Sequence, residues 1–313
     1  MLAVNAKFML KIIQKRKIFY VFSGVLCLLS VLSLIFWGLK PAIDFTGGTL
    51  MEVQFNGMSR PSVAEVREKF SALNLGIGDL TAQQAGESGM ILRTSPIDEA
   101  VHQNLLQGLR DSLVSGNGQI EETRFESIGP TIGKELQKKS MWSIILVVLG
   151  IILYIAWAFR KVSRPVSSWM YGLGAIVALC HDILITTGLF SVLGHFFNVE
   201  VDALFISALL TILGYSVNDT IVVYDRTREN LRKHEGKFEE TVNSSMNQTM
   251  ARSINTSLTT VLALTAVYFF GGETTKNFAL TLIFGIAFGT YSSVFVASAL
   301  LVDWQKFLAG RRK

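Results

Sequence analysis

Long apolar blocks separated by short polar stretches set the plan of this chain. Runs at 18–39, 141–159, 169–193, 203–224, 254–270 and 278–302 each approach the ~20 residues a helix needs to cross a bilayer. Six membrane-spanning helices are predicted. Residues 40–139, between the first and second runs, are patterned differently. TLMEVQF at 49–55 alternates like a half-buried strand, and the run after Pro61 puts Val63, Val66, Phe70 and Leu73 on one helical face. Short strands follow at 79–84 and 90–94. A second helix opens at Ser95-Pro96 and ends at Gly116-Asn117-Gly118, and a last strand covers 119–128. Strand, helix, strand, strand, helix, strand is the split βαβ, ferredoxin-like order. That fold carries many unrelated functions and supports a shape only. His102, beside Gln103 and Asn104, reads as a solvated residue. The segment has no nucleophile–base pair and no phosphate loop, so binding or mechanical work fits it better than catalysis.

The fourth run is not uniformly apolar. Thr211, Gly214, Tyr215, Asn218, Asp219, Val222, Asp225 and Arg226 share one face of a 3.6-residue helix, with aliphatic residues behind. This predicts aliphatic residues against lipid and the polar stripe inside a helix bundle. A carboxylate at such depth costs at least ~2.5–3.5 kcal/mol, so it needs a partner, a proton or water. Asp219 is either such a group or an interfacial residue reaching for water. A matching stripe, Gln248, Thr249, Arg252, Asn255, Thr256, Thr259, Thr260 and Ala263, runs into the fifth span. Arg252 falls at the depth of Asp219 on the neighbouring antiparallel helix, either as its ion-pair partner or as a cytoplasmic-interface arginine. His181-Asp182 lies deeper, in the third span, as a packing pair or as part of a proton path; both uses predict an inward face. Gly285, Gly289, Ser293 and Ala297 recur every four residues, a helix-packing ridge.

Composition changes the picture mainly through charge. Half the residues are hydrophobic and 17% charged, with a net charge of +5. The excess is accounted for by loops: Lys7, Lys11, Lys15, Arg16 and Lys17 before the first span, Arg160, Lys161 and Arg164, the cluster Arg226 to Lys237, and Lys306, Arg311, Arg312 and Lys313 in the tail. The positive-inside rule then makes 1–17, 225–253 and 303–313 cytoplasmic, and 40–139 extracytoplasmic. Nucleic-acid binding is not needed to explain the charge. The first run is too long for a signal-peptide core and lacks a small-residue cleavage site, so an uncleaved span is expected. Cys27 and Cys180 both fall in spans, which offers no disulfide framework and no metal-ligand spacing. Asp44 to Thr49, with Gly47-Gly48, and Gly129-Pro130 to Gly133 punctuate the two junctions of the 40–139 segment; turns are the plain reading of both.

Four stretches carry a resemblance over essentially the whole chain: IDFTGGT at 43–49, ALCHDILITTG at 178–188, GYSVNDTIVVYDRTREN at 214–230 and QTMARSINTSLT at 248–259. They resemble the SecF branch of the SecD–SecF protein-export family, within the resistance–nodulation–division superfamily. The resemblance implies a bacterial inner-membrane subunit, not an enzyme, that pairs its six spans with those of SecD. It implies work beside SecYEG and YajC, and in some members YidC, on unfolded preproteins, driven by the proton motive force without a bound cofactor. By the same resemblance Asp219 and Arg252 are the proton-transport residues, with Asn218, Thr220, Tyr215, Asp182 and His181 in support. Movement is then expected to pass through the junctions at Gly47, Gly48, Gly129 and Pro130. Half of a small-molecule exporter and an inert scaffold subunit are the competing readings.

Overall fold

The computed structural model describes residues 10–114, 118–160, 167–233 and 236–311. Lys7, Gly116, Asn117, Lys161, Arg164, Arg312 and Lys313 lie outside them. The chain divides into two compact units, 1–40 with 142–313, and 41–141.

The smaller unit is an antiparallel sheet with two helices on one face. Its elements run β1 (Gly48–Asn56), α2 (Val63–Ala72), β2 (Thr81–Ala85), β3 (Gly89–Thr94), α3 (Glu99–Leu113) and β4 (Gln119–Ile128); α1 belongs to the membrane unit. The sheet order β2-β3-β1-β4 is that of the ferredoxin-like fold. Met51, Val53 and Phe55 of β1 point under the helices, against Val66 and Phe70 of α2 and Leu105 and Leu109 of α3. Ser62 caps α2 by accepting from the Glu65 amide at 3.1 Å, and Asp98 caps α3 by accepting from Val101 at 2.9 Å. The second helix therefore starts three residues later than Ser95-Pro96 predicts.

His102 corrects the sequence reading, since it is buried. Its Nδ1 lies 3.2 Å from Glu99 and its Nε2 2.9 Å from Glu122, and the ring stacks on Phe125 at 3.7 Å. The register of β1 against β4 shifts between Glu52 and Val53, so that Val53 faces Glu122. That bulge turns Glu122 to the helix side of the sheet, under His102. His102→Ala strands this largely covered carboxylate and is expected to cost about 1–3 kcal/mol, read as a lower thermal midpoint for this unit. The carboxyl of Glu99 is held below its ordinary range, first by the Gln103 amide and then by His102. Its contribution is present above the ordinary carboxylate range and lost as pH falls through the lowered value.

The two glycine junctions meet. Gly47 has φ +75°, and a Cβ there would stand 2.9 Å from Pro130 Cα; a Cβ on Gly133 would stand 3.0 Å from the Gly47 amide nitrogen. Junctions far apart in sequence thus form one tight seam. Gly47→Ala adds strained backbone, about 1–3 kcal/mol, to a backbone collision, and a clear fall in thermal midpoint is expected. Gly129→Ala, with nothing within 4 Å, should stay within about ±0.5 kcal/mol.

The larger unit holds the membrane helices: α1 (Arg16–Phe36), α4 (Pro130–Ala158), α5 (Ser168–Phe197), α6 (Ala203–Lys233), α7 (Phe238–Phe270), α8 (Glu273–Ser292) and α9 (Ser298–Arg311). Six helical stretches are long and apolar enough to cross a bilayer, the last running through α8 and α9. Most of 225–253, expected as a loop, is helix, because α6 and α7 each extend far beyond their apolar blocks. Serine and glycine bring α1 onto α5: Ser33 Oγ donates to Gly188 O at 3.0 Å and Ser191 Oγ donates to Ser33 O at 2.9 Å. The Gly285/Gly289 ridge of α8 packs on Ile212 and Ser216 of α6. Directly after it, Ser293–Ala297 is π-helical, and the Tyr224 hydroxyl donates to the Ala297 carbonyl at 3.1 Å.

Candidate functional site

On α6 the apolar side, not the polar one, is buried within the chain. Leu209, Ile212, Leu213, Val217 and Val223 form the inward face together with Ser216, Thr220 and Tyr224. Of the expected inward stripe, only Asp219 is buried; Thr211, Gly214, Asn218 and Asp225 are exposed. On α7, Thr249 is buried, while Arg252, Asn255, Thr256 and Thr259 are exposed. Within this single chain, then, the polar stripe is largely open and the aliphatic side is covered. Helical period decides which residues share a face, but not what that face meets.

Asp219 sits at the edge of this open polar face, 4% exposed. The Thr290 hydroxyl oxygen of α8 lies 3.3 Å from Asp219 Oδ2 and 2.9 Å from the carbonyl oxygen of Ile286. One hydroxyl proton therefore has two competing acceptors. Ser257 of α7 touches the same hydroxyl at 2.5 Å, and Tyr215 donates to Ser257 at 3.3 Å. The resulting chain Tyr215, Ser257, Thr290, Asp219 ties α6, α7 and α8 together. Thr220 donates to Ser293 at 2.8 Å.

Arg252 does not complete the expected ion pair. It lies within electrostatic reach of Asp219, yet among the described residues the two form no contact within the 4.0 Å of an ion pair. It lines, with Arg226, Gln248, Thr249 and Trp157, an open cavity of about 660 Å³ along α4, α6 and α7. Arg226 itself is bonded to Gln248 and Glu229.

His181 and Asp182 of α5 are buried on the inward face. Asp182, 0% exposed, accepts from Ser216 at 2.6 Å and Ser292 at 2.9 Å, and its other oxygen lies 2.9 Å from His181 Nδ1. The hydroxyls of Ser216, Ser257, Thr290, Ser292 and Ser293 escaped sequence reasoning. For Thr290, Ser292 and Ser293 the signal is the cluster of serine and threonine in mid-span at 289–293.

The family model for the C-terminal part of the protein export membrane proteins SecD/SecF matches residues 109–307, and that for the SecD/SecF GG motif matches 33–57. The protein translocase subunit SecF of Thermobaculum terrenum is 44% identical, over 95% of this chain and 94% of the relative. That of Vibrio alginolyticus is 38% identical, over 91% and 86%. The crystal structure of SecDF, a translocon-associated membrane protein from Thermus thermophilus, superposes with a TM-score of 0.79 at 32% identity. It covers 98% of this chain and 40% of the SecDF chain. SecDF in its super-membrane-facing form gives 0.68 at 31% identity, again over 40% of that chain. The present chain thus spans well under half of the solved proteins it matches.

Proposed function

Since the chain belongs to the SecD/SecF family of protein export membrane proteins, we propose that it is one six-span half of a proton-driven export motor, completed by a SecD half. The observation carrying this reading is the open polar face of α6 and α7, with Asp219 just beneath it. Against acyl chains such a face is costly; against a second helical half with polar groups of its own it is satisfied. The share of the SecDF chain left unmatched by this one is in keeping with a second half of that kind.

The chemistry asked of this half is modest. Ionised Asp219 draws the Thr290 proton; on taking up a proton of its own it releases Thr290 to the Ile286 carbonyl and loses its attraction for Arg252. A membrane potential supplies about 2.3 kcal/mol per charge per 100 mV, enough to bias two packings a few kcal/mol apart. The seam at Gly47, Gly48 and Pro130, inside unit 41–141, is the proposed route by which that unit is moved to take and release an emerging preprotein. The proposed setting is the bacterial inner membrane, termini cytoplasmic, beside SecYEG and YajC, joined in some members of the family by YidC. Export-competent vesicles containing this chain with its SecD half test it. Preprotein export should rise when a proton gradient is imposed, and that rise should be absent when either half is missing. An equal rise without the chain sinks the proposal.

A further inference from the structure

Asp182 lies on α5, away from the open polar face, yet it holds the two helices that build the Asp219 site. Its Oδ2 accepts from Ser216, three residues before Asp219 on α6, and from Ser292, two residues after Thr290 on α8. These helices cross in close contact, since a Cβ on Gly289 would stand 2.9 Å from Ser216 Cβ and 3.5 Å from Asp182 Oδ2. Side-chain bulk cannot set their spacing there, so the hydroxyl–carboxylate bonds do. One oxygen of Asp182 accepting from both helices at once is therefore the fastener. The backbone invites adjustment at this point: the π-helical stretch begins at Ser293, and Ser293 Oγ donates to the Ser216 carbonyl at 3.0 Å. With Nδ1 on Asp182, His181 Nε2 is buried without a partner among the described residues.

We infer that Asp182 is a positioning residue: by holding Ser216 and Ser292 it sets the distance from Thr290 to Asp219, and with it the pH at which the motor loads. The inference rests on the role proposed above for Asp219. The titratable groups around Asp182 are His181 on its own helix, Cys27 of α1, within electrostatic reach, and Tyr291 of α8, whose ring stacks on His181 at 6.2 Å.

The test measures gradient-driven export against pH for the full complex with its SecD half, in wild type, Asp182→Asn, Ser292→Ala and the double variant. Ser292→Ala removes a single hydroxyl and leaves the backbone and every neighbour in place, so it should fold even if Asp182→Asn does not. Ser292→Ala should move the pH midpoint by about one unit toward alkaline, the size expected when one hydrogen bond to a carboxylate weakens. Asp182→Asn breaks the same connection but also removes a carboxyl near Asp219, so its shift should be smaller. The double variant should move it no further, because both changes break one connection. Lower thermal stability with an unmoved midpoint would overturn the inference and leave Asp182 a packing residue, as would shifts that add in the double variant. Asp219→Asn is run alongside: if it keeps full gradient-driven export, the reading of Asp219 falls and this one with it. If it loses that export while the Asp182 and Ser292 variants match wild type, only the inference about Asp182 falls.

Discussion

Asp219→Asn should remove the gradient-driven part of export entirely while the complex still assembles. Asparagine keeps the size of the side chain and an oxygen for Thr290, 3.3 Å away, so packing between α6 and α8 has no reason to change. What disappears is the ability to gain and lose charge beside the open polar face. Since no ion pair with Arg252 exists to be broken, the substitution frees no buried guanidinium. Thermal midpoints and co-purification with the SecD half should then stay close to wild type. Loss of export with loss of assembly would instead mean that Asp219 is a structural group, as a scaffold subunit would have it. Undiminished export would mean that proton coupling lies elsewhere.

The second large effect separates the two faces of the bundle. Gly289→Leu forces a side chain into a space where Ser216 Cβ would stand 2.9 Å away, close to the α6 backbone. Overpacking of this kind costs about 1–3 kcal/mol, occasionally more. The expected result is a marked fall in thermal midpoint of the chain itself. Gly214→Leu puts the same side chain on the open stripe of α6, where nothing lies within 4 Å. Leucine is the better helix former by roughly 0.8 kcal/mol, so the chain alone should be as stable or slightly more so. Association with the SecD half should nevertheless fail, because the new side chain occupies the proposed contact face. Co-purification and thermal melting of the two variants decide it; equal behaviour would show that the polar face of α6 is not an interface.

Much of the fold was legible because it rests on period and length. Six apolar blocks near twenty residues, and a switch between alternation and helical period across 49–128, lead to the spans and to the ferredoxin-like order. The ridge at Gly285 and Gly289 announced close helix packing and delivers it against α6. Three things were not legible, each for a physical reason. The polar stripe around Asp219 was assigned to a bundle interior, whereas within this chain alone that face is largely open. His102 was judged by its polar neighbours, although 102, 105, 106, 109 and 113 make one helical stripe and the residue lies on it. The hydroxyl network at Ser216, Ser257, Thr290 and Ser292 was missed because serine and threonine in spans usually bond to their own helix, as Thr265 does to Val261. Only the packing of α6, α7 and α8 shows which of them turn outward to a neighbour.

Proton movement itself is the most direct check. Vesicles holding the chain and its SecD half, loaded with a pH-sensitive dye and given a translocating preprotein, should show proton flux that tracks export and vanishes in Asp219→Asn. Flux of wild-type size in that variant, with the complex intact, would contradict the account at its centre.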